Sequence, residues 1–247
     1  MFDLTHDTGV ARLTLDRPAA RNAISVTGWF ELANLLEEVE QSDARLLVLR
    51  GAGGAFCSGA DLGDFDRMRD NPDAAGEFRR AMRNALDRFA DLGVPSLAVV
   101  EGACYGAGLA LAMACDIRFA GADGRFAVTP AKLGISYPQE DVHRLVALVG
   151  PGQAARLLLG ARSIDGAEAE RIGLVERSFD GGLDEEVEAL AAAICANDAA
   201  SLRTLKRALS LAAAGKAQDS EQDRVFDELL AGDELGRRLA VHRSRSR

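Results

Sequence analysis

Short stretches of alternating or continuous apolar residues punctuate the first half of the chain. VARLTL from Val10 to Leu15, RLLVLR from Arg45 to Arg50, SLAVVE from Ser96 to Glu101 and DIRFA from Asp116 to Ala120 have the length and β-branched content of strands. Between them the apolar positions switch to a spacing of three and four. Phe30, Ala33, Leu35, Leu36 and Val39 predict a helix over Ser25–Gln41. Phe78, Met82, Leu86 and Phe89 predict a second over Asp73–Leu92, with Gly93 near its end. Strands alternating with amphipathic helices are the pattern of an α/β layered fold.

After Pro151 the pattern turns mainly helical, and only Leu174–Phe179 reads as extended. In SIDGAEAERIGLV, Asp165 is placed to cap a helix and Gly173 to stop it. EEVEALAAAICAND and AASLRTLKRALSLAAAG predict two more helices. Neither an internal repeat nor a low-complexity linker interrupts the chain. The change of pattern suggests a core over residues 1–190 and a helical region over 191–247.

The 247 residues can bury one large core, and a net charge of −9 argues against a broad nucleic-acid-binding face. The basic exception is RRLAVHRSRSR, which carries Arg237, Arg238, Arg243, Arg245 and Arg247. It reads either as a solvated, partly disordered end or as a contact for phosphate or a partner. Cys57, Cys104, Cys115 and Cys195 have no paired spacing, which fits free thiols in a reducing compartment. The three histidines lie far apart, so no metal site is expected. MFDLTHDTGVARL has no leader-like character, and no apolar run reaches the ~18 residues of a membrane span. A cytoplasmic protein is expected.

Two glycine-rich turns carry the candidate chemistry: RGAGGAFCSGADL and EGACYGAGLALA, each following a predicted strand. Small residues let backbone N–H groups approach a ligand, and a helix opening there adds its positive dipole end. Two such N–H groups can hold an enolate or tetrahedral oxyanion, worth roughly 3 to 4 kcal/mol per donor. The competing reading is tight strand-to-helix packing with no ligand at all. GAGGAF departs from a dinucleotide fingerprint at Phe56, and neither a phosphate loop nor a GxSxG elbow is present. Cys104 and Tyr105 precede the second turn; with no base identifiable beside it, Cys104 reads as a small apolar filler.

RPAARNAIS, AFCSGADL, VEGACYGAGLALAMACDIRFA and ARSIDGAEAERIGLVERSF, in this order, resemble the successive signatures of the crotonase superfamily, the enoyl-CoA hydratase/isomerase family. The resemblance runs over almost the whole chain. It implies a ββα spiral core with a carboxy-terminal helical trimerisation region, assembled as a homotrimer or hexamer. It also implies acyl-CoA thioesters as ligands, with coenzyme A as part of the substrate and no separate cofactor. By this likeness the oxyanion donors are the N–H groups of Ala60 and Ala107, with Gly106 and Gly108 allowing close approach. Arg21, Asn22, Ala23, Asp61 and Leu62 would line the coenzyme A path, and Lys206 and Arg207 match basic positions that can approach its phosphates, if they are not simply a solvated face. Gly63 stands where hydratases often carry a basic residue.

Hydratases of this family use two glutamates as base and acid. Ala110 and Pro130 occupy those positions here, and neither side chain can exchange a proton. Simple hydration is therefore disfavoured. GISYPQEDVHRL is the best source of a replacement, with Tyr137, Glu140, Asp141 and His143. A helix starting near Pro138 would put Glu140 and Asp141 in its first turn, where acidic residues also occur for dipole reasons alone. Glu140 ranks first as catalytic acid/base and Asp141 second, with Tyr137 as a pocket residue. Asp61 reads as structural, and Asp64 and Asp66 as solvated. The expected activity is double-bond isomerisation or decarboxylation through a thioester enolate. Alternatives are a hydratase with relocated acid/base groups and a catalytically silent CoA-ester-binding protein.

Overall fold

The computed structural model describes residues 1–245 of the chain. Nine strands, β1 (Phe2–Asp7), β2 (Val10–Leu15), β3 (Leu46–Gly51), β4 (Ser96–Val100), β5 (Ala103–Tyr105), β6 (Ile117–Gly121), β7 (Arg125–Ala127), β8 (Ile164–Asp165) and β9 (Arg177–Phe179), are found among them. Ten α-helices accompany them: α1 (Val26–Gln41), α2 (Leu62–Met68), α3 (Pro72–Asp91), α4 (Ala107–Ala114), α5 (Gln139–Gly160), α6 (Gly166–Arg171), α7 (Leu183–Cys195), α8 (Ala199–Ala213), α9 (Ser220–Ala231) and α10 (Asp233–Arg245).

The larger sheet has the order β1-β2-β3-β4-β6-β9 and is parallel apart from the β1–β2 hairpin. A second, three-stranded sheet, β5-β7-β8, stands beside it. Successive side chains of a strand face opposite sides, so Leu47 and Leu49 join one core while Leu46 and Val48 join another. The first core lies under α1, α3 and α4, around Trp29, Phe56 and Phe89. The second is closed by Leu183, Val187 and Ala191 of α7 and by an edge-on Phe119–Phe179 pair at 5.2 Å. Burial on both faces explains why β3 and β4 read as continuous apolar runs.

The expected strands over Val10–Leu15, Arg45–Arg50, Ser96–Glu101 and Asp116–Ala120 correspond to β2, β3, β4 and β6 within one residue at each end. Ser25 caps α1 by accepting from Gly28 N–H at 3.1 Å, and Asp165 caps α6 through Glu168 N–H at 2.9 Å. On α1 the buried stripe is Trp29, Leu32, Ala33, Leu36 and Val39; Phe30 is exposed, one position off the inward face. β1 lacked a signal of its own because it is an edge strand held by the ladder to β2. The arginine-rich stretch, read as either a solvated, partly disordered end or a contact for phosphate or a partner, is helical in α10 as far as Arg245, and Arg247 lies outside the described residues. α7 spans position 190 and packs on the sheet, joining the two regions.

Candidate active site

The two glycine-rich turns are bound into one structure by backbone hydrogen bonds. Cys57 N–H donates to Ala103 at 2.8 Å, and Tyr105 N–H donates back to Cys57 at 2.9 Å. On its other side the same segment meets residues 21–24: Ser58 N–H donates to Arg21, Ile24 N–H to Gly59 and Asp61 N–H to Ile24, each at 2.9 Å. Ala60 sits between these bonds, and its own N–H has no intramolecular acceptor among the described residues. Ala107 is the first residue of α4, where N–H groups lack an intrahelical partner, and its N–H is likewise free. Both residues line one cavity of about 840 Å³. Gly59, at φ 113°, brings the turns together: a Cβ there would lie 3.0 Å from the Tyr105 carbonyl oxygen and 3.6 Å from Ala107 N.

The cavity is walled by α2, α3 and the segment before α5. Phe65 and Phe78 meet edge-on at 6.0 Å, and Met82, Leu133, Ile135 and Tyr137 extend the apolar lining. Its charged lining consists of Arg21, Arg79, Lys132 and Asp61. Asp61 is tied by the Arg17 guanidinium and by Gly63 N–H at 2.9 Å, and these hold its carboxyl below the usual range. Among the described residues, the one carboxylate in the cavity wall is thus already paired.

The structure brings Arg21, Ala23, Ala60, Asp61, Leu62, Gly106, Ala107 and Tyr137 to this cavity. Asn22 lies behind the wall, fully buried. Its side chain donates to the Ala52 and Ala55 carbonyls at 2.9 and 2.6 Å and accepts from Arg17 N–H at 2.9 Å, so it shapes the first turn. Gly108 also lies behind, packed so closely on the Cys57 carbonyl that a Cβ would approach it to 2.4 Å. Ala110 is fully buried, and Pro130 forms part of the cavity wall. Cys104 is buried and its thiol is pushed up by desolvation, which suits a filler.

Five residues are placed otherwise than the sequence suggests. Glu140 is exposed and does not line the cavity. α5 begins at Gln139, and its inward stripe passes through Asp141 and Leu145, which turns Glu140 outward. Asp141 is inside, but behind the wall: fully buried, it accepts from Arg83 at 2.9 Å, with Arg144 at 3.7 Å. Burial raises its carboxyl, and Arg83 opposes that shift. Lys206 is 6% exposed, and its Nζ contacts the Val94 carbonyl and Asp116, each at 2.9 Å; it fastens α8 to the sheet, away from the cavity. Arg207 pairs with Asp219 at 2.8 Å. Asp64, expected to be solvated, accepts from Val26 N–H at 2.8 Å at the start of α1.

Sequence reasoning missed Arg79, Phe65 and Lys132 as cavity residues. Phe78 and Met82 were legible as an apolar stripe, but that stripe serves both core and cavity. Among the described residues no group of three or more His, Cys, Asp or Glu is placed to hold a metal ion, and no helix is long and apolar enough to cross a membrane.

Residues 5–235 match the family model described as enoyl-CoA hydratase/isomerase. The peroxisomal Delta(3,5)-Delta(2,4)-dienoyl-CoA isomerase of Arabidopsis thaliana is 33% identical over 70% of this chain and 66% of its own length. The Mycobacterium tuberculosis protein named "Probable enoyl-CoA hydratase echA6" is 33% identical over 72% of this chain and 70% of its own. In three dimensions, an enoyl-CoA hydratase/carnithine racemase from Magnetospirillum magneticum superposes with a TM-score of 0.93 and 31% identity, over 99% of this chain and 92% of that one. A collinear match over nearly the full length, with the fold and the paired glycine turns in place, makes this chain a member of the enoyl-CoA hydratase/isomerase family, with the crotonase fold.

Proposed function

We propose that this protein is an acyl-CoA enzyme that stabilises a thioester enolate between the N–H groups of Ala60 and Ala107. The observation that carries the reading is that Ala60 and Ala107, whose N–H groups donate to no acceptor among the described residues, line one cavity whose wall offers no unpaired carboxylate. Two preorganised donors supply roughly 6 to 8 kcal/mol toward a developing oxyanion. Enolate formation is favoured, while addition of water by paired carboxylates lacks its acid and base.

Decarboxylation of a malonyl-type thioester fits this wall best. Arg21, Arg79 and Lys132 make its lining net positive, and such a substrate brings its own carboxylate. The bond from Cα to the carboxylate breaks, CO2 leaves, and the electron pair passes into the thioester to form the enolate. Water entering the open cavity then returns a proton to Cα. The dienoyl-CoA isomerase relative favours double-bond isomerisation as a second reading. That reaction would need Asp61 to release Arg17 and act as the base.

Arg21, Ala23, Asp61 and Leu62 would border the coenzyme A arm. Leu205, Leu209, Phe226 and Leu230 leave an exposed apolar face on α8 and α9, which fits assembly as a trimer or hexamer. The test is turnover of malonyl-, methylmalonyl-, 3-enoyl- and crotonyl-CoA by the purified protein, followed as CO2 release and by chromatography of the esters. Decarboxylation without crotonyl-CoA hydration is expected. Crotonyl-CoA hydration at a comparable kcat/KM would overturn the reading, and tight binding with no turnover would make the protein a silent CoA-ester binder.

A further inference from the structure

Tyr137 touches the proposed oxyanion site at one atom: its phenol O–H donates to the Gly106 carbonyl at 3.0 Å. That carbonyl and the Ala107 N–H belong to the same peptide unit. The unit is planar and trans, so the two groups point in opposite directions. Whatever holds the Gly106 oxygen therefore aims the Ala107 N–H.

Backbone bonds hold part of this orientation. Gly106 has φ 52° and ψ −117°, a conformation open to glycine and strained for other residues. Its N–H is anchored on the Ala127 carbonyl at 3.0 Å, which fixes one side of the residue and leaves the following peptide to be set by contacts of its oxygen. Rotating that peptide would replace the donor in the cavity by a carbonyl oxygen, which would repel an enolate. Two bonds to the Gly106 oxygen oppose the rotation: Ala110 N–H at 3.1 Å, the ordinary first bond of α4, and the Tyr137 phenol. A second donor on one carbonyl also polarises the peptide and strengthens the N–H at its other end.

We propose that Tyr137 is a positioning residue, whose phenol latches the Gly106–Ala107 peptide so that the Ala107 N–H faces the substrate thioester oxygen. The inference rests on the oxyanion reading given above. Tyr137 is itself held where α5 begins: Asp141 N–H donates to the Pro138 carbonyl at 3.1 Å, and the buried Asp141 side chain is clamped by Arg83 at 2.9 Å. Burial keeps the phenol protonated well beyond its ordinary range, so the latch remains a donor across working pH.

The test is isotope-edited infrared difference spectroscopy of a bound acyl-CoA labelled at the thioester carbonyl. Wild type is expected to shift the carbonyl stretch to lower frequency. Tyr137→Phe, which keeps the ring, should lose at least half of that shift while binding the ester within about threefold, and kcat should fall roughly 10- to 100-fold with KM little changed. Fluorotyrosine inserted at position 137, a stronger donor of nearly the same shape, should deepen the shift even if the Phe variant does not fold. A full wild-type shift retained by Tyr137→Phe, or left unchanged by fluorotyrosine, would overturn the latch. No shift in wild type would instead overturn the oxyanion reading itself, and the latch with it.

Discussion

Lys206 offers the sharpest separation of a structural from a ligand-binding role. Its ammonium group lies in the monomer interior and bonds to the Val94 carbonyl and the Asp116 carboxylate, each at 2.9 Å. Asp116 also accepts from Ser96 N–H at 2.7 Å and Ser96 Oγ at 2.8 Å, so it keeps partners when the lysine is removed. Lys206→Met preserves most of the aliphatic stem but deletes two charge-assisted contacts and leaves the Val94 oxygen without this donor. At roughly 1.5 to 3 kcal/mol per hydrogen bond to a charged group, partly offset because Asp116 retains Ser96, the net loss is about 3 kcal/mol. For a chain of this size that corresponds to a fall in Tm of about 6 to 12 °C. Calorimetry and urea unfolding measure the loss, and isothermal titration with an acyl-CoA ester measures binding at a temperature where both proteins are folded. The expected result is lower stability with an unchanged Kd. An unchanged Tm together with a tenfold weaker Kd would refute this reasoning and return Lys206 to the coenzyme A phosphates.

Glu140→Gln should leave kcat within about twofold, because the side chain is exposed outside the cavity wall; a tenfold loss in steady-state turnover would show that it reaches the substrate. Asp61 predicts a pH dependence. Its folded carboxyl lies below the ordinary value of 3.8, so the unfolded chain binds the proton more readily. Its contribution is complete above about that ordinary value and is lost as pH falls through the lower, folded one. Urea midpoints of wild type and Asp61→Asn should therefore differ at neutral pH and converge in acid, and a constant difference would contradict the Arg17 pairing.

The paired turns were legible in the sequence because glycine and alanine at close spacing report a backbone requirement that side-chain chemistry cannot imitate. Strand and helix order was legible too, since apolar periodicity is local and the β2, β3, β4 and β6 runs are bounded by residues that break them. What could not be read was direction. One residue separates the outward Glu140 from the buried Asp141, and only the seating of α5 on the core selects which turns inward.

The same holds for charge. Lys206 on α8 reads as solvated or ligand-facing until the helix docks and buries it against Asp116 and Val94, residues more than eighty positions away. Tyr137 reads as pocket lining, and it does line the cavity, but the sequence does not show that its phenol bonds Gly106, 31 residues earlier. Sequence by itself determined the family, the α/β layering and the two glycine-rich turns, because each depends on short-range pattern or main-chain conformation. Tertiary structure alone decided which polar side chains face the cavity, which are spent on neighbours and which phenol reaches the Gly106 carbonyl. Those outcomes depend on packing between distant segments, and hydrophobic burial there overrides the exposure that a charged residue would have on an isolated helix.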